Sequence, residues 1–435
     1  MMSEALTVRT AAFCRRWEIR SVLCAVSGGR DSMALLHILC HLSAETGLRV
    51  SAAHFNHCLR RTADRDELFV RDWCRAHGVP FYAGRGDVRA QAARSGTGIE
   101  DAARTLRYQF LEETASAVSA QHIATAHHRG DNAETVLLHL LRGTGPQGLS
   151  GIPPVRGRIV RPLLETGRDE IDAYIAENRI PYVEDETNRD PAYIRNRVRS
   201  EVLPLLEQIS PGSTVRIAAA AALLRDEDAH LQAEADALLP EPEDGCIMLP
   251  VPVLKGQDIA MQRRLVRTMA RRLGVTPTVR QTEAALSLTS GKIYHLPGGL
   301  EAVRLPHRLI LRRLPDLPPP QLLHTGVQYW GPWQITLGTE PAGPDALVLD
   351  AAAGPLTVAA WDGTGRLAVE NGSRSLKRIF QDCGIAPEKR REHPVLYADG
   401  KPAAAPGAGV DWTLRPKKNK PVITVTFAPA TGKET

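Results

Sequence analysis

The feature that most constrains this chain is a glycine-rich hexapeptide between a short apolar run and a helical pattern. The apolar run covers 22–26, and the helical pattern begins near Met33. Between them stand Ser27, Gly28, Gly29, Arg30, Asp31 and Ser32. An unbroken apolar run of this length is typical of a strand buried in a parallel sheet. We therefore predict a strand, a tight loop and a helix in succession.

A loop in this position is predicted to bind an anion. The first N–H groups of a helix have no intrahelical partner and carry the positive end of the helix dipole, so they favour negative charge. Two glycines let the backbone approach a ligand closely, and Ser27 and Ser32 add hydroxyl donors. Asp31 is suited to a divalent cation. The loop lacks the lysine of a Walker P-loop, which excludes that class. The alternative is a turn in which Ser and Asp only cap the helix.

Downstream, apolar patterns typical of strands alternate with patterns typical of helices. The predicted strands cover 50–55, 80–83 and 122–126, and the predicted helices cover 64–77, 100–119, 132–141 and 169–178. This alternation predicts βαβ units and an α/β fold with a doubly wound, mostly parallel sheet. The Gly- and Pro-rich segment 142–162 is predicted to be a long connector of the kind that often forms a lid.

A chain of 435 residues is long enough for roughly two to four domains. An Ala-rich helical pattern over 215–239 places a boundary near residue 210, and the proline-rich run 315–320 predicts a semi-rigid linker. The predicted parts are a catalytic domain over 1–210, a mainly helical middle domain over 211–314, a linker over 315–321 and a small α+β domain over 322–435.

Composition narrows the functional classes. The net charge is +5, from 54 Lys and Arg against 49 Asp and Glu, which permits a polyanionic partner. No stretch approaches the roughly 20 apolar residues of a membrane span, and the N-terminus has no signal-peptide pattern. Seven cysteines occur without C-x-x-C spacing. We therefore predict a cytoplasmic protein with reduced cysteines and no membrane partner.

The complete pattern Ser-Gly-Gly-x-Asp-Ser after an apolar strand is identified as the signature of the N-type ATP pyrophosphatase superfamily. Its members cleave ATP between the α- and β-phosphates and adenylate an acceptor. The resemblance implies an adenine nucleotide alpha hydrolase-like fold in the N-terminal domain. It also implies that ATP is bound by Ser27, Gly28, Gly29, Arg30, Asp31 and Ser32.

Further motifs resemble one family of that superfamily, the bacterial tRNA(Ile)-lysidine synthetases. Residues 54–60 resemble the family's H-V-D-H-G-L-R, with Asn56 and Cys58 in place of the commoner Asp and Gly. The other stretches that resemble the family's catalytic domain are 98–108, 125–135, 142–149, 185–188 and 193–199. Residues 372–407 resemble the family's C-terminal module, which grips tRNA.

This resemblance implies a ligase that modifies tRNA. The implied reaction joins free lysine to C2 of the wobble cytidine in isoleucine tRNA with a CAU anticodon. It passes through an adenylated cytidine and releases AMP and pyrophosphate. ATP and Mg²⁺ are the implied substrate and cofactor, and the sequence leaves homodimerisation open.

The expected catalytic residues are Asp31, Arg107, His127 and Asp131. Arg107 would clamp phosphate charge, and His127 is the candidate base for the lysine amine. Asp31 and Asp131 would share Mg²⁺. Glu134 or Asp131 would bind the ammonium groups of lysine. The candidate tRNA contacts are Arg104, Arg195, Arg199, Lys377, Arg378, Arg390 and Arg391.

Plainer interpretations stay open for several of these residues. Asp131 and Glu134 have the spacing of a capping box, so they could serve only the helix. His127 and His128 could pack in the core or bind zinc, although ATP chemistry favours Mg²⁺ and oxygen ligands. For Arg104 and Arg107 the alternative is a solvated basic face.

Two other functions are weighed against lysidine formation. A tRNA thiolase of the same superfamily would need reactive cysteines, and those nearest a motif are Cys24, Cys40 and Cys58. A non-catalytic RNA-binding protein would have no need of the complete hexapeptide.

Overall fold

The computed structural model describes residues 2–58, 63–184, 194–314, 317–340, 343, 345–385, 389–418 and 420–430. By its contacts the chain divides into two compact units, Met1–Leu231 and Gln232–Thr435. This division is coarser than the four predicted parts, whose boundaries stay a prediction.

The first unit is built on a mostly parallel sheet that has six strands within the described residues. The strands are β1 (Ser21–Ala25), β2 (Arg49–Asn56), β3 (Phe81–Arg85), β4 (His122–Ala124), β5 (Val155–Arg156) and β6 (Ile159–Val160). Their order is β3-β2-β1-β4-β6-β5, and β5 alone among these pairs antiparallel to its neighbour. The predicted doubly wound α/β fold is confirmed.

Helices connect and cover these strands. They are α1 (Met2–Arg16), α2 (Arg30–Thr46), α3 (Ala63–Ala76), α4 (Val88–Ser95), α5 (Ile99–Ala117), α6 (Arg129–Leu141), α7 (Pro146–Leu149), α8 (Arg168–Asn178), α9 (Ile194–Arg197) and α10 (Leu203–Ile209). A π-helical turn, Val198–Val202, separates the last two. The long α11 (Ser213–Leu238) then leads into the second unit.

The apolar run that predicted β1 is buried because both of its faces are covered. Val22 and Cys24 belong to the core shared with α1, α2 and α8, whereas Leu23 belongs to a second core with Leu111 of α5. Successive side chains of a strand point to opposite faces, so a strand between two helical layers must be apolar at every position. This double burial fixes the end of β1, from which the glycine-rich loop begins.

The prediction of a long connector over 142–162 is wrong for its second half. Ile159 and Val160 are buried and pair in parallel with β4, so this stretch completes the sheet. The preceding turn is also held, since the N–H of Ile152 donates to Asn132 Oδ1 at 2.7 Å. Arg225 of α11 donates to the carbonyls of Ser150 and Ile152 at 2.8 and 2.9 Å. The segment is therefore part of the framework.

The second unit begins with helices packed on a small antiparallel sheet. Its helices are α12 (Val251–Lys255), α13 (Ile259–Arg272) and α14 (Val279–Leu286). Its strands are β7 (Cys246–Pro250), β8 (Lys292–Leu296), β9 (Leu300–Arg304) and β10 (Arg308–Arg313), in the order β7-β10-β9-β8. Leu265 and Met269 of α13 pack with Leu309 in one core. Helix exceeds strand here, as the sequence predicts.

The remainder of the second unit is mostly strand. The strands are β11 (Gln321–Leu322), β12 (Gly326–Trp330), β13 (Trp333–Gly338), β14 (Leu347–Asp350), β15 (Leu356–Ala360), β16 (Arg366–Val369), β17 (Gly372–Ser375), β18 (Pro394–Ala398), β19 (Lys401–Ala405), β20 (Gly409–Val410) and β21 (Val422–Pro429). The helix predicted near residue 375 is α15 (Leu376–Asp382). Across the whole described part of the chain, no helix combines the length and apolarity that crossing a membrane requires.

The contact of β3 with α5 leaves no room for a side chain at Gly84. A methyl group there would stand 2.5 Å from Cε2 and 2.7 Å from Cγ of Phe110. We expect Gly84→Ala to lower the free energy of unfolding by about 1–3 kcal/mol, the usual cost of overpacking. Urea unfolding measures this free energy. Gly338→Ala, where the added methyl group meets open space, is the control. An equal effect of the two substitutions would contradict the packing described here.

Candidate active site

The glycine-rich loop forms the strand, loop and helix arrangement that the sequence predicts. Gly28 has a φ of 89°, which few residues other than glycine adopt. The Ser32 hydroxyl donates to the carbonyl of Gly29 at 2.8 Å and accepts from the N–H of Ser27 at 3.2 Å. The N–H of Met33 makes the first helical bond, to Gly29. The three preceding amides therefore lie at the positive end of α2.

His128 links the loop to α6. Its Nε2 stands 3.9 Å from Asp31 Oδ2 and 3.7 Å from Asp131 Oδ2. Its Nδ1 accepts from the N–H of Gly130 at 3.0 Å, which places the hydrogen of the neutral ring on Nε2. One imidazole nitrogen thus lies within 4 Å of both carboxylates that the sequence predicts to share Mg²⁺. Asp31 also accepts from Arg168 at 3.1 Å.

Asp131 serves both the helix and the site, so the two interpretations of this residue are compatible. Its Oδ2 accepts from the N–H of His128 at 2.9 Å and completes a capping box at the start of α6. Its Oδ1 accepts from Arg199 at 2.9 Å. Burial alone would raise the pKa of Asp131, but His128, His127 and Arg199 outweigh burial and lower it. The carboxylate is therefore ionised at neutral pH.

Glu134, the candidate lysine-binding residue, is held by arginines. Its side chain is buried, and Oε2 accepts from Arg195 at 3.1 Å and from Arg199 at 3.0 Å. Both of these arginines are candidate tRNA contacts, and the structure brings them to the carboxylates of α6. Their roles and that of Glu134 stay predictions.

His127 is half-buried and lies near Asp131, the carboxylate that caps α6. Its Nδ1 is 2.9 Å from the Thr125 hydroxyl. Burial lowers the pKa of His127 to about 4; Asp131 opposes this shift, and arginines including Arg161 and Arg107 add to it. The ring is therefore neutral at physiological pH, as a proton acceptor must be.

Arg104 and Arg107 both stack on one ring. Their guanidinium carbons lie 4.9 and 5.4 Å from the centroid of Tyr108. Burial lowers the pKa of Arg107, while Arg104 stays exposed. The alternative of a solvated basic face therefore fits Arg104 better than Arg107.

The backbone of Arg30 belongs to the glycine-rich loop, whereas its side chain is anchored to residues outside the loop. Its guanidinium donates to Asp172 Oδ1 at 2.9 Å and to the Tyr182 hydroxyl at 3.1 Å. Neither this anchor nor the pairing of Arg168 with Asp31 is predicted from the sequence. No local pattern indicates them, because α8 follows the loop by more than a hundred residues.

The carboxylates fit Mg²⁺ better than zinc. Within the described ranges no three His, Cys, Asp or Glu side chains are grouped so as to hold a metal ion, which zinc bound by protein ligands would need. Mg²⁺ commonly takes one or two carboxylates together with waters and substrate phosphates. Asp31 and Asp131, each within 4 Å of His128 Nε2, supply such a pair.

The structure explains the two departures from the family motif after β2. The amide nitrogen of Asn56 donates to Asp64 Oδ1 at 3.0 Å and to Glu67 Oε2 at 3.3 Å. Its oxygen accepts from the N–H of Cys58 at 2.9 Å. Cys58 itself has a φ of 52°, a left-handed backbone conformation that the family's commoner glycine adopts without strain. Asn56 is therefore fully engaged in structure.

The C-terminal candidates fall into two groups. Lys377 and Arg378 are exposed on α15 and line a cavity of about 360 Å³. Arg390 is buried, and its Nε donates to the carbonyl of Ile385 at 2.9 Å. Arg391 is half-buried. The motif residues 59–60, 185–188, 193 and 386–387 lie outside the described residues.

Replacing the Asn56 amide by a carboxylate tests its structural role. Asn56→Asp would remove the donor and face Asp64 and Glu67 with a third carboxylate. We expect a loss of about 1–3 kcal/mol in the free energy of unfolding at neutral pH, because a buried hydrogen bond is lost. The loss shrinks in acid as the new carboxyl group is protonated. Chemical unfolding at two pH values measures it, with the exposed Asn371→Asp as the control.

The lowered pKa of His127 makes stability depend on pH. Between about pH 4 and 6.5, His127 is protonated in the unfolded chain but not in the folded protein. The free energy of unfolding therefore falls as pH drops through this window. We expect His127→Asn to flatten that dependence. His41→Asn, on the exposed face of α2, should leave it unchanged. An unaltered profile in the His127 variant would contradict the environment described.

Two family models match the chain. Residues 2–206 match the PP-loop domain, and residues 356–426 match the TilS substrate C-terminal domain. Among solved structures, the U34-tRNA thiolase NcsA from Methanococcus maripaludis with its 4Fe-4S cluster is similar at 15% identity and a TM-score of 0.45. The similarity covers 52% of this chain and 80% of that one.

Relatives of known function cover more of the sequence. A tRNA(Ile)-lysidine synthase of Caldanaerobacter subterraneus is 36% identical over 304 residues, which cover 67% of this chain and 65% of that protein. A tRNA(Ile)-lysidine synthase of Geobacter sulfurreducens is 34% identical over 408 residues, and the match covers 86% of each chain. The chain therefore belongs to the tRNA(Ile)-lysidine synthase family of PP-loop proteins.

Proposed function

We propose that this protein ligates free lysine to C2 of the wobble cytidine in isoleucine tRNA with a CAU anticodon, using ATP. The observation that carries the proposal is the meeting of Asp31 and Asp131 at one imidazole, His128, beside the anion-binding loop. This arrangement brings carboxylates and phosphate-binding amides together at the carboxyl ends of parallel strands, where open α/β sheets bind ligands.

The first step adenylates the cytidine. Its O2 attacks the α-phosphorus of ATP, an O–P bond forms, and the bond to the β-phosphate breaks to release pyrophosphate. The amides at the start of α2 and the hydroxyls of Ser27 and Ser32 stabilise the departing phosphates. Arg107 stabilises negative charge that develops at the α-phosphate, since a buried guanidinium acts strongly where water is excluded.

The second step replaces AMP by lysine. The neutral ε-amine attacks C2, and AMP leaves with the oxygen that had been O2 of the cytidine. His127 is the proposed proton acceptor because it is unprotonated when lysine arrives. Its low pKa means that the proton then passes on to solvent. Asp131 or Glu134 orients the ammonium groups of lysine.

Mg²⁺ is the proposed cofactor, held by Asp31 and Asp131. When bound it neutralises charge on the ATP phosphates. In the second unit, the exposed Lys377 and Arg378 are the proposed contacts with tRNA phosphates, joined by the half-buried Arg391. Homodimerisation and a cytoplasmic location stay predictions.

The thiolase alternative meets an obstacle in two of its three candidate cysteines. Burial raises the pKa of Cys40 to about 11 and that of Cys24 well above its ordinary value. Both remain protonated thiols at neutral pH, whereas sulfur chemistry needs the thiolate. The family relationship also favours lysidine formation over the alternatives.

Incorporation of lysine into RNA tests the function. The wild-type protein, incubated with ATP, Mg²⁺, radiolabelled lysine and a CAU isoleucine tRNA transcript, should place label in the RNA. Asp31→Ala should lower the rate by about 100-fold or more, the scale of losing one electrostatic contact to the transition state. Asp72→Ala, an exposed carboxylate of α3, should leave the rate unchanged.

Other outcomes identify the alternatives. Label absent from RNA that is nevertheless bound would favour a non-catalytic RNA-binding protein. Modification that needs a sulfur donor and is lost with Cys24→Ser, Cys40→Ser or Cys58→Ser would favour a thiolase.

A further inference from the structure

Arginines from three parts of the first unit gather around Tyr108. Arg104 and Arg107 of α5 stack on its ring, with guanidinium carbons 4.9 and 5.4 Å from the centroid. Arg161, which follows β6, lies against the Tyr108 hydroxyl, and Arg156 of β5 stands beside Arg161. We name Tyr108, Arg104, Arg156 and Arg161 the Tyr108 cluster; Arg107, which we assign to the α-phosphate of ATP, is not part of it.

The Tyr108 cluster holds buried polar atoms without a hydrogen-bond partner among the described residues. Arg161 is 3% exposed. One terminal nitrogen of Arg161 donates to the carbonyl of Pro153 at 2.7 Å, but its Nε has no partner. The Tyr108 hydroxyl is also buried; it lies against guanidinium groups, which cannot accept its hydrogen, and no described residue does so. Most buried polar groups in native proteins are paired, so donors left open together point to an absent acceptor.

The charge of the Tyr108 cluster is equally uncompensated. Within the described ranges, none of its arginines forms an ion pair with a carboxylate. Burial lowers the pKa of Arg161, and the neighbouring Arg156 and Arg104 add to this effect. Arg161 is buried, whereas Arg104 and Arg156 are exposed to solvent, so the charge that most needs an anion to offset it is that of Arg161.

The strand order places the Tyr108 cluster to one side of the glycine-rich loop. The loop follows β1, His127 follows β4, and Arg161 follows β6, and these three strands are parallel neighbours in the order β1-β4-β6. Neighbouring strands lie about 4.8 Å apart, so Arg161 is displaced by about two such spacings from the loop that binds the polyphosphate. An anion at the Tyr108 cluster would therefore be a second one, on the far side of His127.

We propose that the Tyr108 cluster binds a backbone phosphate of the substrate RNA next to the target nucleotide. This inference rests on the proposed function, because it takes RNA as the substrate. A phosphodiester supplies two charged oxygens, which match the fork of Arg161 and the hydroxyl of Tyr108. A phosphate contact of this kind positions the strand without reading its sequence.

The salt dependence of RNA binding tests the proposal. The wild-type protein and Arg161→Gln are titrated with the unmodified isoleucine tRNA transcript at several salt concentrations, and separately with ATP. Loss of one phosphate contact should reduce the slope of log affinity against log salt by about one. ATP affinity should change by less than about twofold, because ATP is bound by the loop.

Two further variants protect the test against misfolding and nonspecific effects. Tyr108→Phe keeps the stacked ring and removes only the unpartnered hydroxyl, so we expect a loss of about 3- to 10-fold in tRNA affinity. Arg75→Gln removes an exposed arginine of α3 that pairs with Asp72, and it should leave the slope unchanged. If Arg161→Gln does not fold, the tRNA affinity of Tyr108→Phe serves as the test.

The opposing results are distinct. A weakened ATP affinity with an unchanged tRNA slope would mean that the Tyr108 cluster takes a nucleotide phosphate, and the proposal would be wrong. Unchanged binding of both probes in the folded variants would make the cluster structural, and would also overturn it. Lysine incorporation by the wild-type protein is scored independently, so either result can occur while the proposed function stands.

Discussion

The packing of β1 between two layers of helices is the constraint on which the rest of the site depends. Because its side chains are closely packed on both faces, a shift of the strand by one residue would exchange side chains of different size between the two layers. Its carboxyl end is thereby fixed, and with it the start of α2. The neighbouring β4 runs parallel to β1, so the polar residues after each strand meet at one edge of the sheet.

At this edge of the sheet, the negative charge of the carboxylates is offset by nearby arginines. Asp131 caps α6 with one oxygen and meets Arg199 with the other, while Asp31 is engaged by Arg168. Each carboxylate thus has a cationic partner, which reduces the cost of gathering like charges in a partly buried site. The arginines around Tyr108 lack such partners, and this difference separates the carboxylate side of the site from its cationic side.

Much of this could be predicted from sequence where the signal is local. The apolar run, the two glycines and the alternation of strands and helices carry their own structural meaning, so the loop and the first four strands of the sheet are as predicted. The roles of Arg168 and Arg161 depend on which distant segments fold together, and nothing near them in the chain indicates it. The sequence does not predict a strand at Ile159–Val160, because a strand of two residues is too short to show a period.

The amide of Asn56 has a consequence for how the site responds to acidity. An amide does not titrate, so the turn after β2 keeps a constant charge at this position where an aspartate would gain or lose a proton. The group proposed to accept a proton during the reaction is instead His127, which follows β4, the strand beside β1 in the sheet.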